Sequence, residues 1–392
     1  DRESPSIPFV GLHAHSVAGS IFDALGYPQE HMDFAYNNGM DALALTDHGN
    51  ANGLAYQVLH AKKMQKEGKS FKPIFGVEAY FLPSVANWRQ EYEKAQQNKK
   101  SKDDLQSGTT VENEESKKKM KNILNRRRHL ILLAQNLEGL KNIFKIISTS
   151  YDSDHFYRYP RVDYALLKKY NNGIIAASAC LGGVYAGCYW ENRDNGEDSI
   201  LKAFRDTTQK MQSIFGDRWY GELQWNNVPE QHELNRYIIQ MHHEFGLPLI
   251  STADSHYPSP TAWKDRELYK RLGWLGKRPE WMSAELPVDV EEIGYELYPK
   301  NGDEMWASYK KYSKECEYDY SDDVVLNSIK ETHRIAHERI ESFFPDNTVR
   351  LPDFVVPQDT TPGEALQNLT AEGLRELGFS DNDEYLTRAA ME

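Results

Sequence analysis

The sequence predicts an α/β fold, a parallel sheet covered by helices with enough units to close into a barrel, followed by a smaller, mainly helical segment. Three observations predict it. Short apolar, β-rich runs alternate with amphipathic stretches up to about residue 270; glycines stand where those stretches end; beyond about residue 295 only helical patterning remains.

In order, the apolar runs are 9–14, 42–46, 73–82, 130–134, 173–179, 219–225 and 247–253. They have strand length and are rich in β-branched and aromatic residues. The intervening helical stretches stop at Gly39, Gly68, Gly173, Gly216 and Gly246, the residue type expected just past a helix end. Residues 84–128 interrupt the alternation with Lys, Glu, Gln and Asn and few apolar anchors, which predicts an exposed charged insertion. A boundary is expected near residue 290, giving a barrel over 1–290 and a helical part over 291–392. Helical patterns at 323–341 and 362–378 flank a Pro-containing stretch at 345–357.

Composition narrows the classes. Forty-six basic against 59 acidic residues leave a net charge of −13, which argues against a broadly basic nucleic-acid wrapper. It leaves room for a local site where metal ions supply the positive charge. Three cysteines exclude a disulfide scaffold and point to a reducing, cytoplasmic setting. No apolar run approaches the roughly 18 residues of a membrane span, and the N-terminus lacks a basic-then-apolar signal. No Ser–His–Asp order, Gly-Lys-Ser phosphate loop or G-x-G-x-x-G fingerprint is evident.

The positions of His, Asp and Glu carry the chemistry. His13 and His15 lie two apart at the end of the first run, and Asp254 and His256 two apart at the end of the last. Strand residues two apart face the same way, so each pair can address one metal cluster. Asp47 and His48 follow the second run, Glu78 lies late in the third, and Cys180 follows the fifth. In a parallel barrel the carboxyl ends of the strands share one rim, where these residues would converge. His129 stands instead at the start of its run and reaches the rim only if that strand is offset. A single buried histidine is more often a core or capping residue, and Cys180 alone would be a small core residue. His60, His242, His243, His333 and His337 fall in helical stretches and are expected to be solvated. The repeated strand-end placement predicts a polynuclear metal site for the set.

Six motifs occur in order: His13-Ala-His15-Ser, Leu45-Thr-Asp-His48-Gly-Asn, Gly76-Val-Glu78-Ala-Tyr, Arg128-His129-Leu-Ile-Leu-Leu-Ala, Ser178-Ala-Cys180-Leu-Gly and Thr252-Ala-Asp-Ser-His256-Tyr. From about residue 8 to 275 they resemble the polymerase and histidinol phosphatase (PHP) domain, in the version at the N-terminus of bacterial DNA polymerase III alpha subunits. The segment around Glu138 and the Tyr-Pro-Arg161-Val-Asp163 segment look like that polymerase branch.

The resemblance implies a distorted (β/α)7 barrel with two to three divalent ions. His13, His15, Glu78 and Asp254 would hold one, and Glu78 would bridge to a second held by His129 and Cys180. Asp23, His48 and His256 would hold a third, and Asp47 would orient the site. His15, Glu78 and Asp254 would be the catalytic ligands. Imidazole, carboxylate and one thiolate suit Zn²⁺ first, with Mn²⁺ and Fe²⁺ as alternatives. The stretch from His15 to Asp23 departs from the family spacing by one residue, which leaves the register of Asp23 open.

A cluster of divalent ions suits phosphoester hydrolysis. The implied activity is metal-dependent phosphodiester cleavage, as a 3′–5′ exonuclease serving DNA replication. The alternatives are a scaffold with structural metals and a free-standing phosphatase for small molecules. The expected partners are DNA 3′ ends or single strands, the remainder of a polymerase chain and a separate proofreading subunit, with no membrane. Nothing resembles a polymerase palm, so the chain reads as the N-terminal part of a nucleotidyltransferase that alone does not synthesise DNA. Arg161 would either clamp a phosphate or form a rim salt bridge. Lys117 through Arg126, Arg127 and Arg128 leads into His129 and would either track a DNA backbone or form a solvated helix face.

Overall fold

A curled sheet of seven strands holds the molecule together in a computed structural model that describes residues 2–103, 124–274 and 285–392. The strands are β1 (Ala42–Leu45), β2 (Lys72–Phe81), β3 (Arg128–Ala134), β4 (Arg161–Val162), β5 (Ile174–Ala177), β6 (Trp219–Leu223) and β7 (Leu249–Ser251). Their order in space is β1-β2-β3-β5-β6-β7, and the two-residue β4 pairs beside the end of β2. Helices α1 (Pro28–Asn37), α2 (Leu54–Lys66), α3 (Val85–Asp103), α4 (Leu137–Ser150), α5 (Tyr164–Tyr170), α6 (Val184–Asn192), α7 (Glu197–Phe215) and α8 (Pro229–Phe245) connect the strands. After β7 come α9 (Trp263–Gly273), α10 (Gly302–Glu315) and α11 (Asp322–Arg334). The glycine stops operate as expected; at Gly246, for example, a left-handed backbone lets its N–H close onto the His242 carbonyl.

The sheet is mixed, which corrects the all-parallel expectation. β1 and β2 are parallel, as are β5, β6 and β7, but β3 runs antiparallel to both β2 and β5. The reason lies in the excursion at 82–127. It leaves the carboxyl end of β2 and returns to the same rim, so β3 starts there and runs back. Of the insertion expected at 84–128, α3 is anchored by Val85 and Trp88 beside Leu82, and residues 104–123 lie outside the described residues.

The first apolar run forms no strand. It lies between the two edges of the sheet through isolated bridges, Gly11 with Leu43 and Ala14 with Ser255. The Ala44 N–H donates to the Gly11 carbonyl, and His13 and Ser255 share a backbone bond on the other side. His13 and His15 are thereby stitched between the start and the end of the sheet.

Both faces of the sheet are buried, which is why the strands read as continuous apolar runs. Alternate residues divide between two cores. Ile74, Ile131, Leu133, Ile175 and Ile250 face the interior, while Phe75, Val77, Leu130, Leu132 and Ile174 pack with the helices. The same period of two places Glu78, His129 and Glu222 on the interior parity.

One compact unit spans Asp1–Pro345 and a second spans Asp346–Glu392, so the division falls later than the boundary expected near 290. The alternation does end near 290, but α10, α11 and the turn after them belong to the same compact unit as the barrel. Ile335, Ala336 and Ile340, in and after a π-helical turn at Ile335–Arg339, belong to the interior core. Thr332 accepts from the Val10 N–H, Ser328 pairs with Ser251, and the Lys72 ammonium donates to the Ala336 carbonyl at 2.6 Å. The second unit contains α12 (Pro362–Glu376), begun by a Thr361–Glu364 capping box, and α13 (Asp383–Met391). Among the described residues no helix is long and apolar enough to cross a membrane.

Ile335 closes the interior core, so Ile335→Ala should cost roughly 2–5 kcal/mol. Urea unfolding should show a lower midpoint with an unchanged slope. A cost below about 1 kcal/mol would mean that the segment only rests on the barrel.

Candidate metal centre

The rim at the carboxyl ends of the parallel strands gathers the ligand-type residues. Asp47 and His48 follow β1, Glu78 lies on β2, Cys180 follows β5, and Asp254 and His256 follow β7. The direction of β3 supplies what the sequence left open. His129 sits at its start, opposite Tyr80, with Nδ1 2.8 Å from Glu78 Oε1.

Glu78 lies at the middle of the group and faces two sets of donors. Its Oε2 is 2.7 Å from His13 Nε2 and 3.3 Å from His15 Nε2. Asp254 Oδ1 is 2.9 and 3.1 Å from the same two nitrogens, which are themselves 3.1 Å apart. The other oxygen of Glu78, Oε1, is 2.8 Å from both His48 Nδ1 and His129 Nδ1, and Cys180 Sγ is 3.5 Å from the latter. Beyond His48, its Nε2 lies 3.1 Å from Asp23 Oδ2, which is 3.6 Å from His256 Nε2. All nine residues expected as ligands are brought to one rim, Asp23 among them despite the altered spacing of its loop.

Partners behind the rings decide which nitrogens are free. His13 Nδ1 is 2.5 Å from Glu222 Oε1. His15 Nδ1 donates to Ser20 Oγ at 3.2 Å, because that hydroxyl gives its own proton to Asp47 at 2.8 Å. His256 Nδ1 donates to the Asp254 carbonyl. With those protons committed, the Nε2 lone pairs of His13, His15 and His256 face the centre. Asp47 also receives the Ser16 N–H and hydroxyl, at 2.6 and 2.9 Å. It orients the loop and His15 rather than joining the ligand group. A Cβ on Gly19 would come within 2.5 Å of Asp47, so this loop closes over Asp47 only with glycine there.

Glu222 and Ser20 were not anticipated from sequence. Glu222 is fully buried and is held by the Ala179 N–H at 3.0 Å, the Thr252 hydroxyl and Gln224. Its signal was a lone carboxylate within an apolar run, on the interior parity of Tyr220. Two turns at the rim are strained: Ala179 and Asp254 have φ of 60° and 50°. That conformation costs about 1–2 kcal/mol for a residue with a Cβ and persists here because both neighbours are fixed.

The electrostatics hold the carboxylates ionised and set positive charge against them. Burial alone would raise the Glu78 and Asp254 carboxyls, but the surrounding imidazoles outweigh it and hold both well below the usual range. Burial would lower His13 and His48; the facing carboxylates outweigh that and hold both rings well above theirs. Burial, with Asp254 and Glu78 close by, pushes the Cys180 thiol far up, so a thiolate there needs a positive partner. Asp254 Oδ1 and Asp23 Oδ1 are buried yet accept no aligned hydrogen bond. His13, His15, Glu78 and Asp254 thus present lone pairs to a common point, about 3 Å from one another, the spacing of donors around one Zn²⁺-sized ion. The residues fit divalent metal.

The arginines are placed differently from one another. Arg161 is 2% exposed, donates from Nε to the His155 carbonyl at 3.2 Å, and lies 3.7 Å over the Trp88 ring. It makes no ion pair among the described residues, so no rim salt bridge forms, and its two terminal guanidinium nitrogens are buried without a hydrogen-bond partner. Arg126 and Arg128 both reach Glu191, at 3.1 and 2.8 Å. Arg127 lies 3.7 Å over Tyr159 and 5.5 Å from Tyr80, whose ring stacks against His48. Lys117, Lys118, Lys119 and Lys121 lie outside the described residues.

A curled α/β sheet with His, Asp and Glu converging at one rim defines the class, and comparison with known proteins makes it specific. Residues 11–226, more than half of the chain, match the PHP domain, and the chain belongs to that family. DNA polymerase III subunit alpha of Aquifex aeolicus is 30% identical over 98% of this chain and 29% of its own length. The Borreliella burgdorferi subunit of the same name is 31% identical over 94% of this chain and 27% of its length. The chain therefore spans less than a third of these curated relatives. Among solved structures, a two-domain Bacteroides vulgatus protein described as containing a PHP-like metal-dependent phosphoesterase covers 66% of this chain and 57% of its own. At 13% identity and a TM-score of 0.33, that likeness carries no further weight.

Glu222 holds His13 from behind, so Glu222→Gln should weaken metal binding roughly 10–100-fold while leaving the fold intact. Chelator competition and circular dichroism measure the two effects. Glu78→Gln should release more metal than Cys180→Ser, because it touches both donor sets; equal losses would contradict a shared carboxylate.

Proposed function

We propose that the chain is a metal-dependent phosphodiesterase that removes nucleotides from DNA 3′ ends as part of a replicative polymerase chain. The observation that carries this reading is the carboxylate of Glu78, with one oxygen toward His13 and His15 and the other toward His48 and His129. His13, His15, Glu78 and Asp254 would hold one ion, Glu78, His129 and Cys180 a second, and Asp23, His48 and His256 a third. The donor mixture favours Zn²⁺, with Mn²⁺ and Fe²⁺ also suited. Bound there, divalent ions supply an acidified water near neutral pH and offset charge on a phosphodiester and its leaving oxygen.

The chain's own residues do the positioning. Glu222 and the Ser20–Asp47 pair fix the imidazoles of His13 and His15. Those rings and Glu78 are fully enclosed, whereas the side chains of His129 and Asp23 are 24% and 35% exposed. Substrate would therefore enter over His129 and Asp23, and the catalytic ligands His15, Glu78 and Asp254 lie beneath. Arg127 stands beside that opening through Tyr80 and is the arginine of the basic run best placed to hold a phosphate. Arg126 and Arg128 share the single carboxylate of Glu191.

The relatives' name supports a polymerase setting, with DNA as substrate and the rest of a polymerase chain as partner; a separate proofreading subunit and the cytoplasm complete the proposal. DNA synthesis would belong to the remainder of such a chain.

With Mn²⁺ or Zn²⁺ supplied, the protein should release mononucleotides from end-labelled single-stranded and primed DNA. His15→Ala should lower that rate by roughly a hundredfold or more. Arg127→Ala should weaken DNA binding and reduce its salt slope by about one, with turnover of a small phosphodiester unchanged. Hydrolysis of small phosphomonoesters without action on DNA would favour a free-standing phosphatase. A fully metallated protein that does neither would be a scaffold.

A further inference from the structure

At the opposite end of β1 from Asp47 and His48, Asp41 meets two histidines of the helical segment. His333 lies in the last turn of α11 and His337 four residues on, in the π-helical turn. We infer that Asp41, His333 and His337 form a second site for a divalent transition metal of the Zn²⁺ class, which ties the helical segment to the closed end of the barrel.

The geometry is that of a ligand set. Asp41 turns one oxygen to each ring: Oδ1 is 2.8 Å from His337 Nε2, and Oδ2 is 3.8 Å from His333 Nε2. The second separation is too long for a hydrogen bond but suits two donors that share an ion. The ring centroids are 4.3 Å apart, and one ligand atom from each residue lies within 4.8 Å of the others. Two histidines four apart on a helical face, with a carboxylate from another element, are a donor set that Zn²⁺ accepts, and solvent completes the coordination. The three side chains are 34–40% exposed, so an ion reaches them directly from water.

The neighbourhood supports this. The Lys72 ammonium binds the Ala336 and Ile340 carbonyls and so fixes the turn that carries His337. An ion here would clamp the segment whose Ile335, Ala336 and Ile340 close the interior core. The site shares no residue with the rim centre and stands independently of the proposed activity.

The test is Zn²⁺ titration of the metal-stripped chain against a chromophoric chelator. Wild type should bind one ion more than the His333→Gln/His337→Gln double variant, and Zn²⁺ should raise its thermal midpoint further. Hydrolysis at the rim should be the same in both. Asp41→Asn, which keeps the side chain's shape, should weaken the additional ion at least tenfold and decides the matter should the double variant fold poorly. Equal ion counts in wild type and a natively folded Asp41→Asn or double variant would overturn the inference.

Discussion

Glu78 carries a carboxylate into a place that water does not reach, and the rim is organised around the consequences. A buried, unpaired carboxylate would cost several kcal/mol, so it persists only where positive charge or strong donors surround it. Four imidazoles meet its two oxygens, and Asp254 meets two of the same imidazoles from the other side. That grouping is stable with metal ions among the donors, or with protons held on rings that burial would otherwise leave neutral. The strain at Ala179 and Asp254, the glycine beneath Asp47 and the buried Glu222 all keep donors aimed inward. These features are intelligible together as support for a cation site.

The barrel makes this possible by bringing distant chain segments to one rim. Parallel strands deliver their carboxyl ends there, and the one antiparallel strand delivers its amino end, which is how His129 joins. Residues 9–15 complete the ring between β1 and the stretch after β7, so His13 and His15 depend on both edges of the sheet at once. The far end needs closing as well. Ile335, Ala336 and Ile340 do that, which binds the helices between residues 302 and 340 to the barrel although the sequence pattern has already changed.

Much of this was legible in the sequence, and the exceptions have physical causes. Apolar runs reveal strands buried on both faces, and His, Asp and Glu placed at their ends reveal a shared rim. Periodicity does not encode direction, so the reversal of β3 was invisible except as the odd position of His129. A two-residue strand such as β4 has no period, and the run at 9–14 earns its apolar character from burial between edges rather than from a ladder. Glu222 was hidden because one carboxylate among aromatics looks the same whether it supports a ligand or caps a loop. The arginines were read as charge alone. Their neighbours come from distant parts of the chain: Arg126 and Arg128 share Glu191, and Trp88 covers Arg161.

The central claim is that Glu78 is shared between ions. Anomalous diffraction at the zinc edge, from crystals of the full chain grown with Zn²⁺, tests it most directly. Two peaks should flank the Glu78 carboxylate, one beside His13 and His15 and one beside His129 and Cys180. A single peak, or peaks that leave one Glu78 oxygen unligated, would contradict it.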